Sequence, residues 1–135
     1  MRSHSAARKS HLRSQAISHA TLGVVSIALG ISLEAIQSTS RCASAVYGRQ
    51  LAMYLLNTTF QMNFSLAGRA LGRDRTTASY SVKKIEERRD DPLVETVLAA
   101  CENSLAGIRA LAVGKPPVPP RRPPTKPGPQ GTHQQ

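Results

Sequence analysis

Apolar residues recur through the middle of this chain at three- and four-residue spacing, and glycine, proline or short polar runs interrupt them. Ile17, Leu22, Val24, Val25, Ile27, Ala28 and Leu29 predict a buried helix over 17–29, which Gly30 stops. Ser32 can cap a short helix containing Leu33, Ala35 and Ile36, with Glu34 favoured in its first turn by the helix dipole. Residues 37–43 are polar and read as a loop. A long central helix over 44–59 carries Val46, Leu51, Met53, Tyr54, Leu55 and Leu56. Gly48 near its start costs about 1 kcal/mol against alanine, so something else must hold that turn. A short helix over 64–71 turns Phe64, Ala67 and Leu71 inward. Gly72 and Arg73 then lead into a helix over 74–89, whose Ala78, Val82 and Ile85 face the core. Asp90-Asp91-Pro92 breaks it and opens a last helix, with Pro92 in its first turn and Leu93, Val94, Val97, Leu98, Cys101, Leu105, Ile108 and Leu111 as its apolar side. No segment alternates in the manner of a strand. The expected class is all-α, a compact bundle of about six helices.

Both ends depart from this pattern. Residues 1–16 are basic and serine-rich and read as a disordered arm; residues 113–135 are rich in proline and basic residues and read as extended or disordered. The folding unit is therefore expected over 17–112. Its aromatic content is low and tryptophan is absent, so the core must be aliphatic.

Charge adds a partner to the picture. The formal net charge is +10. Residues 1–19 contribute four basic residues and no acid, and so do residues 115–135. Within the folding unit, residues 41–89 hold nine basic residues against Asp74, Glu86 and Glu87, while both flanks are acidic. One basic zone extended by two basic ends is the footprint of a polyanion binder. Cys42 and Cys101 lie in no ligand spacing, and His4, His11, His19 and His133 lie in or beside the tails, so neither a metal site nor a structural disulfide is expected. The longest apolar stretch is too short to span a bilayer. No Ser/His/Asp, Cys/His or paired-carboxylate arrangement suggests catalysis, and no phosphate-binding loop suggests a nucleotide. The chain is read as a binder without cofactor, not an enzyme, acting in the cytoplasm on the nucleoid.

The short-helix, tight-turn, longer-helix pattern at 64–89 has the logic of a helix-turn-helix. Asp74 can cap the second helix, and Arg75, Thr76, Thr77 and Tyr80 cluster on polar faces of its first turns. Arg75 has the reach for a guanine edge, the Asp74 carboxylate can serve a cytosine amino group or only the cap, and threonine methyls can meet a thymine methyl. Arg73 precedes the cap; Lys83 and Lys84 follow within reach of the duplex. Arg88 and Arg89 read as a solvated charged face paired with Glu86 and Glu87.

These residues carry a resemblance. Gly72-Arg73-Asp74-Arg75-Thr76-Thr77, followed by Lys83-Lys84-Ile85-Glu86-Glu87, is similar to the GGRDHTT…RKIE signature of the C-terminal DNA-binding domain of the bacterial replication initiator DnaA. Arg49-Gln50-Leu51-Ala52-Met53-Tyr54-Leu55 resembles its RPRQ(I/M)AMYL helix, and Gly68-Arg69-Ala70-Leu71-Gly72 its IGRAFG segment. The resemblance spans roughly Leu22 to Leu105. It implies a Trp-repressor-like fold and binding to short, asymmetric duplex boxes of the TTATnCACA type. By position, Asp74, Thr76 and Thr77 match major-groove and backbone contacts, Arg49 and Gln50 match a DNA-contacting helix start, and Arg41 falls in the loop whose arginines reach the minor groove.

The departures are specific. Ala43 stands where the family's main minor-groove arginine would be, Asn57 where it has a lysine, Gly48 for a proline, and Arg75 and Tyr80 for histidines. The resulting expectation is a stand-alone, ATPase-free binder of DnaA-box-like sites, a transcriptional regulator or modulator of replication initiation with shifted specificity. The lost cations and the proline-rich tail also suggest an adaptor that recruits a protein partner. The basic ends suggest a non-specific nucleoid or RNA binder.

Overall fold

The computed structural model describes residues 2–112, with side chains from Ser5 onward. Six helices follow one another: α1 (Arg2–Leu29), α2 (Leu33–Gln37), α3 (Ala43–Thr58), α4 (Phe64–Ala70), α5 (Arg75–Arg88) and α6 (Pro92–Ala112). No strand occurs among the described residues, so the chain is all-α.

α3 is the central element. Leu51 through Leu56 are all buried, and a helix buried around its whole circumference must be covered on every side. α1, α2, α4 and α5 all pack against it, and α6 packs against α1. Gly48 explains itself here: a Cβ at that position would meet Ile31 Cδ1 at 2.8 Å and Ile36 Cγ1 at 3.3 Å. The missing methyl lets the α1–α2 corner approach α3 closely, and this packing holds the turn.

α1 is the main departure from expectation. Residues 2–16, expected as a disordered arm, continue the helix outward from the packed segment. The stretch contains no Gly or Pro and includes Ala6, Ala7, Arg8, Lys9, Leu12, Arg13, Gln15 and Ala16, all good helix formers. Once Ile17, Leu22 and Val25 anchor a nucleus, adding turns avoids the nucleation cost. Gly30, at φ +68°, ends α1, with its own N–H and that of Ile31 both donating to the Ser26 carbonyl. The other end of the chain, 113–135, lies outside the described residues.

α6 also corrects the reading. Val94, Leu98, Cys101 and Leu105 form its buried stripe, whereas Leu93 is 77% exposed and Leu111 is exposed too. Leu93 sits about 100° around the helix from Val94, and only one of the two can face α1. No described helix is long and apolar enough to cross a membrane.

Candidate nucleic-acid interface

The α4–turn–α5 unit is built by two caps and two glycines. The Asn63 side chain accepts from the Leu66 N–H at 2.8 Å, and Asp74 accepts from the Thr77 N–H at 2.8 Å. Each satisfies a donor that the helix start leaves free. In the turn, the Gly68 carbonyl accepts from both Leu71 (2.9 Å) and Arg73 (2.8 Å), and Gly72 supplies the left-handed residue at φ +67°. Gly68 is needed for space instead. A Cβ there would lie 2.6 Å from the Asp74 carbonyl oxygen and 2.9 Å from that of Arg73. α4 and the turn can cross at this angle only because position 68 has no side chain.

The cap settles part of the Asp74 question. Its carboxyl is held below the usual carboxylate range, chiefly by the bond from the Thr77 backbone and then by the Thr77 side chain. A carboxylate so engaged remains ionised at the start of α5.

α5 turns Ala78, Ser81 and Ile85 into the body. Its outer face presents Arg75, Thr76, Ser79, Tyr80, Lys83 and Lys84, all exposed, with Thr77 half-buried at the edge. The Lys84 ammonium sits 5.9 Å from the Tyr80 ring centroid, so the two side chains occupy one patch. Among the described residues, the ion pairs join Arg89 to Glu95 and Glu102. The cations of the outer face of α5 are left for an external anion.

A second cationic element borders this face. The loop between α2 and α3 exposes Arg41. It is stiffened by a ladder in which the Ser40 N–H donates to the Ser38 hydroxyl and the Cys42 N–H to the Ser40 hydroxyl, each at 3.1 Å. Two arginines hold it from behind. Arg49 Nη1 donates to the carbonyls of Ala35 (3.2 Å), Ile36 (3.3 Å) and Ser38 (2.8 Å), and its Nη2 donates to that of Ser40. Arg73 Nη2 reaches the same Ser38 carbonyl at 2.9 Å, while its Nη1 bonds Leu71 in the turn. Burial, and secondarily the neighbouring charge of Arg73, lowers the Arg49 pKa.

Arg49, matched by position to a DNA contact, lines the groove between the loop and α5 but is only 7% exposed, and its guanidinium bonds four carbonyls between Ala35 and Ser40. Arg73 is half-buried and acts as a strap between turn and loop, with its remaining edge open. Gln50 is half-buried in the groove between the loop and α5, which Arg41, Arg73, Thr77 and Tyr80 also line. The structure thus brings Arg41, Arg49, Gln50, Arg73, Thr77 and Tyr80 together, and leaves Arg75, Thr76, Lys83 and Lys84 on the adjoining outer face.

The far end of α5 was read as a solvated charged face, and the contacts differ. Tyr54 of α3 donates its hydroxyl to Glu86 at 2.7 Å and accepts from Arg89 at 2.9 Å. Arg89 also grips Glu95 of α6 with two bonds of 2.7 Å. Arg88 stacks over the Tyr47 ring at 4.9 Å. Local i, i+4 pairing hid this network, because Glu95 and Tyr54 lie on other helices. It ties the end of α5 to α3 and α6.

Residues 18–85 match the family model described as the bacterial dnaA protein helix-turn-helix. A chromosomal replication initiator protein DnaA of Gloeobacter violaceus is 36% identical over 95 residues, 69% of this chain and 22% of that protein. One from Chloroflexus aggregans is 34% identical over 94 residues, 68% of this chain and 20% of its own length. One from Spiroplasma citri is 38% identical over 64 residues, covering 47% of this chain and 14% of the relative. The chain spans about a fifth of the length of such relatives. No group of three or more potential metal ligands occurs among the described residues.

Proposed function

We propose, from the premise that this chain belongs to the bacterial DnaA helix-turn-helix family, a DNA-binding and non-catalytic domain, that it reads short asymmetric duplex sites of the DnaA-box type. The start of α5 enters the major groove with Arg75, Thr76, Thr77 and Tyr80, while Asp74 caps the helix and faces the bases. Lys83 and Lys84 meet the phosphate backbone. Arg41 reaches the adjacent minor groove, with Gln50 between the two elements. Arg49 contributes by holding the loop, and Arg73 by joining the loop to the turn. In the cell this reading makes the chain a regulator of transcription or of replication initiation, working on the nucleoid.

The observation that carries the reading is the shared Ser38 carbonyl, bonded by Arg49 at 2.8 Å and Arg73 at 2.9 Å. Through it the loop bearing Arg41 and the turn leading into α5 form one rigid unit. Two readers of adjacent grooves must keep a fixed separation, and preorganisation lowers the ordering cost of binding.

Selection of bound sites from a random duplex pool tests this. An enriched A/T-rich motif with CA steps is expected. Repeating the selection with Arg75→Ala should relax one base position, with a loss of about 1–3 kcal/mol of discrimination there. No enriched motif, combined with a steep salt dependence, would leave a non-specific binder in place of this reading.

A further inference from the structure

We infer that the projecting half of α1 is a second nucleic-acid surface, one that contacts phosphates of the duplex flanking the recognised site. This rests on the DNA-binding reading and extends it beyond the helix-turn-helix.

The first observation is a long helical stretch that contributes nothing to the core. No residue from Ser5 to Ala16 is buried, and the one large apolar side chain there, Leu12, is 56% exposed. Residues 2–16 span about 22 Å at 1.5 Å per residue. Helices of this length are marginal in water unless something stabilises them. The charge pattern works against the isolated helix. Arg8, Lys9 and Arg13 are exposed, no acid lies in the first turn, and Lys9 and Arg13 form a like-charged i, i+4 pair. The positive end of the macrodipole adds to the same sign. An anionic partner relieves all of these at once.

The second observation places the partner. His11, Gln15 and His19, one face of α1 whose side Arg8 shares, line a cleft with Gln37 and with Leu66 and Arg69 of α4, while Lys9 and Arg13 lie on the opposite face. No carboxylate lines the cleft. On the opposite side of α4, Phe64 shares a groove with Arg75, Thr76 and Tyr80 of the recognition helix. α4 lies between the two grooves, with Arg69 in its last turn on the α1 side. The charge of this half of α1 matches a phosphodiester. A projection of about 22 Å corresponds to about six base pairs of duplex beyond the site.

The test uses the full chain, two duplexes and a salt series followed by fluorescence anisotropy. One duplex ends at the edges of a TTATnCACA box; the other extends it by about six base pairs on either side. The wild type should bind the longer duplex more tightly and with a steeper dependence of log K on log salt. The triple variant Arg8→Ala, Lys9→Ala, Arg13→Ala should lose about 0.9 of slope for each phosphate contact removed, on the long duplex only. Its denaturant midpoint should match the wild type, since none of the three is buried. Equal slopes on both duplexes, or an equal loss on both in the variant, would overturn the inference while leaving box recognition intact. Competitor single-stranded RNA that abolishes the length-dependent part as effectively as duplex DNA would reassign the arm and overturn it too. Failure of the wild type to prefer the box over a scrambled duplex would defeat the recognition reading; the length dependence would still decide the arm.

Discussion

Arg49 shows how a cation's role depends on what lies behind it. With Nη1 and Nη2 donating to four carbonyls in the α2–α3 segment, it is a structural clasp. Arg49→Met keeps the bulk and removes the donors, leaving the Ala35, Ile36 and Ser40 carbonyls without a charged partner while Ser38 keeps Arg73. A loss of about 2–4 kcal/mol in urea unfolding is expected, since bonds from a charged donor contribute about 1.5–3 kcal/mol each. A phosphate-contacting arginine would behave in the opposite way, with stability unchanged and the salt slope of DNA binding reduced by about 1. Motif position alone could not separate these outcomes. The sequence reveals that position 49 is cationic, and the carbonyls that engage it belong to residues 9–14 positions earlier. Asp74 was more legible, because its capping partner lies three residues away. The cysteines divide in the same manner. Cys101 is buried and its thiol pushed up to about 11, while Cys42 is exposed at the start of α3 and lowered by the Ser44 hydroxyl.

Among the elements, the helix boundaries over 33–92 followed from local signals: caps at Ser32 and Asp74, and glycines or proline at the breaks; the Asn63 cap of α4 emerged only in the structure. What local signals leave open is how closely helices approach. Gly68 and Gly48 make the contrast measurable. At position 68 an added Cβ meets backbone carbonyl oxygens of the turn at 2.6 and 2.9 Å, and backbone cannot move without reorienting α5. Gly68→Ala should cost about 1–3 kcal/mol and weaken selective duplex binding. At position 48 the nearest atom is the flexible end of Ile31, and alanine gains about 1 kcal/mol of helix propensity. Gly48→Ala should therefore leave the denaturant midpoint nearly unchanged, within about 1 kcal/mol, with DNA binding retained. Equal destabilisation by both changes would show that the close approach at Gly68 does not set the turn.

Over the whole molecule, acid stability follows from two carboxylates that the fold engages. Asp74 is lowered chiefly by the Thr77 N–H, and Glu95 chiefly by its bonds from Arg89. Folding makes both weaker proton acceptors, so their contribution is complete above the ordinary carboxylate range, about pH 4–5, and disappears as pH falls through the lowered folded values. The urea midpoint should hold from pH 7 to about 5 and then fall. A double variant Asp74→Asn, Glu95→Gln should show a shallower fall, with asparagine retaining the cap. The sequence by itself determined the all-α class, the order of the helices, the helix-turn-helix and the basic zone, because spacing, caps and net charge are properties of neighbouring residues. Only the tertiary structure decided which cations remain free for a polyanion. Arg49 and Arg89 are occupied by groups from other elements, because burial and hydrogen-bond partners depend on which helices meet.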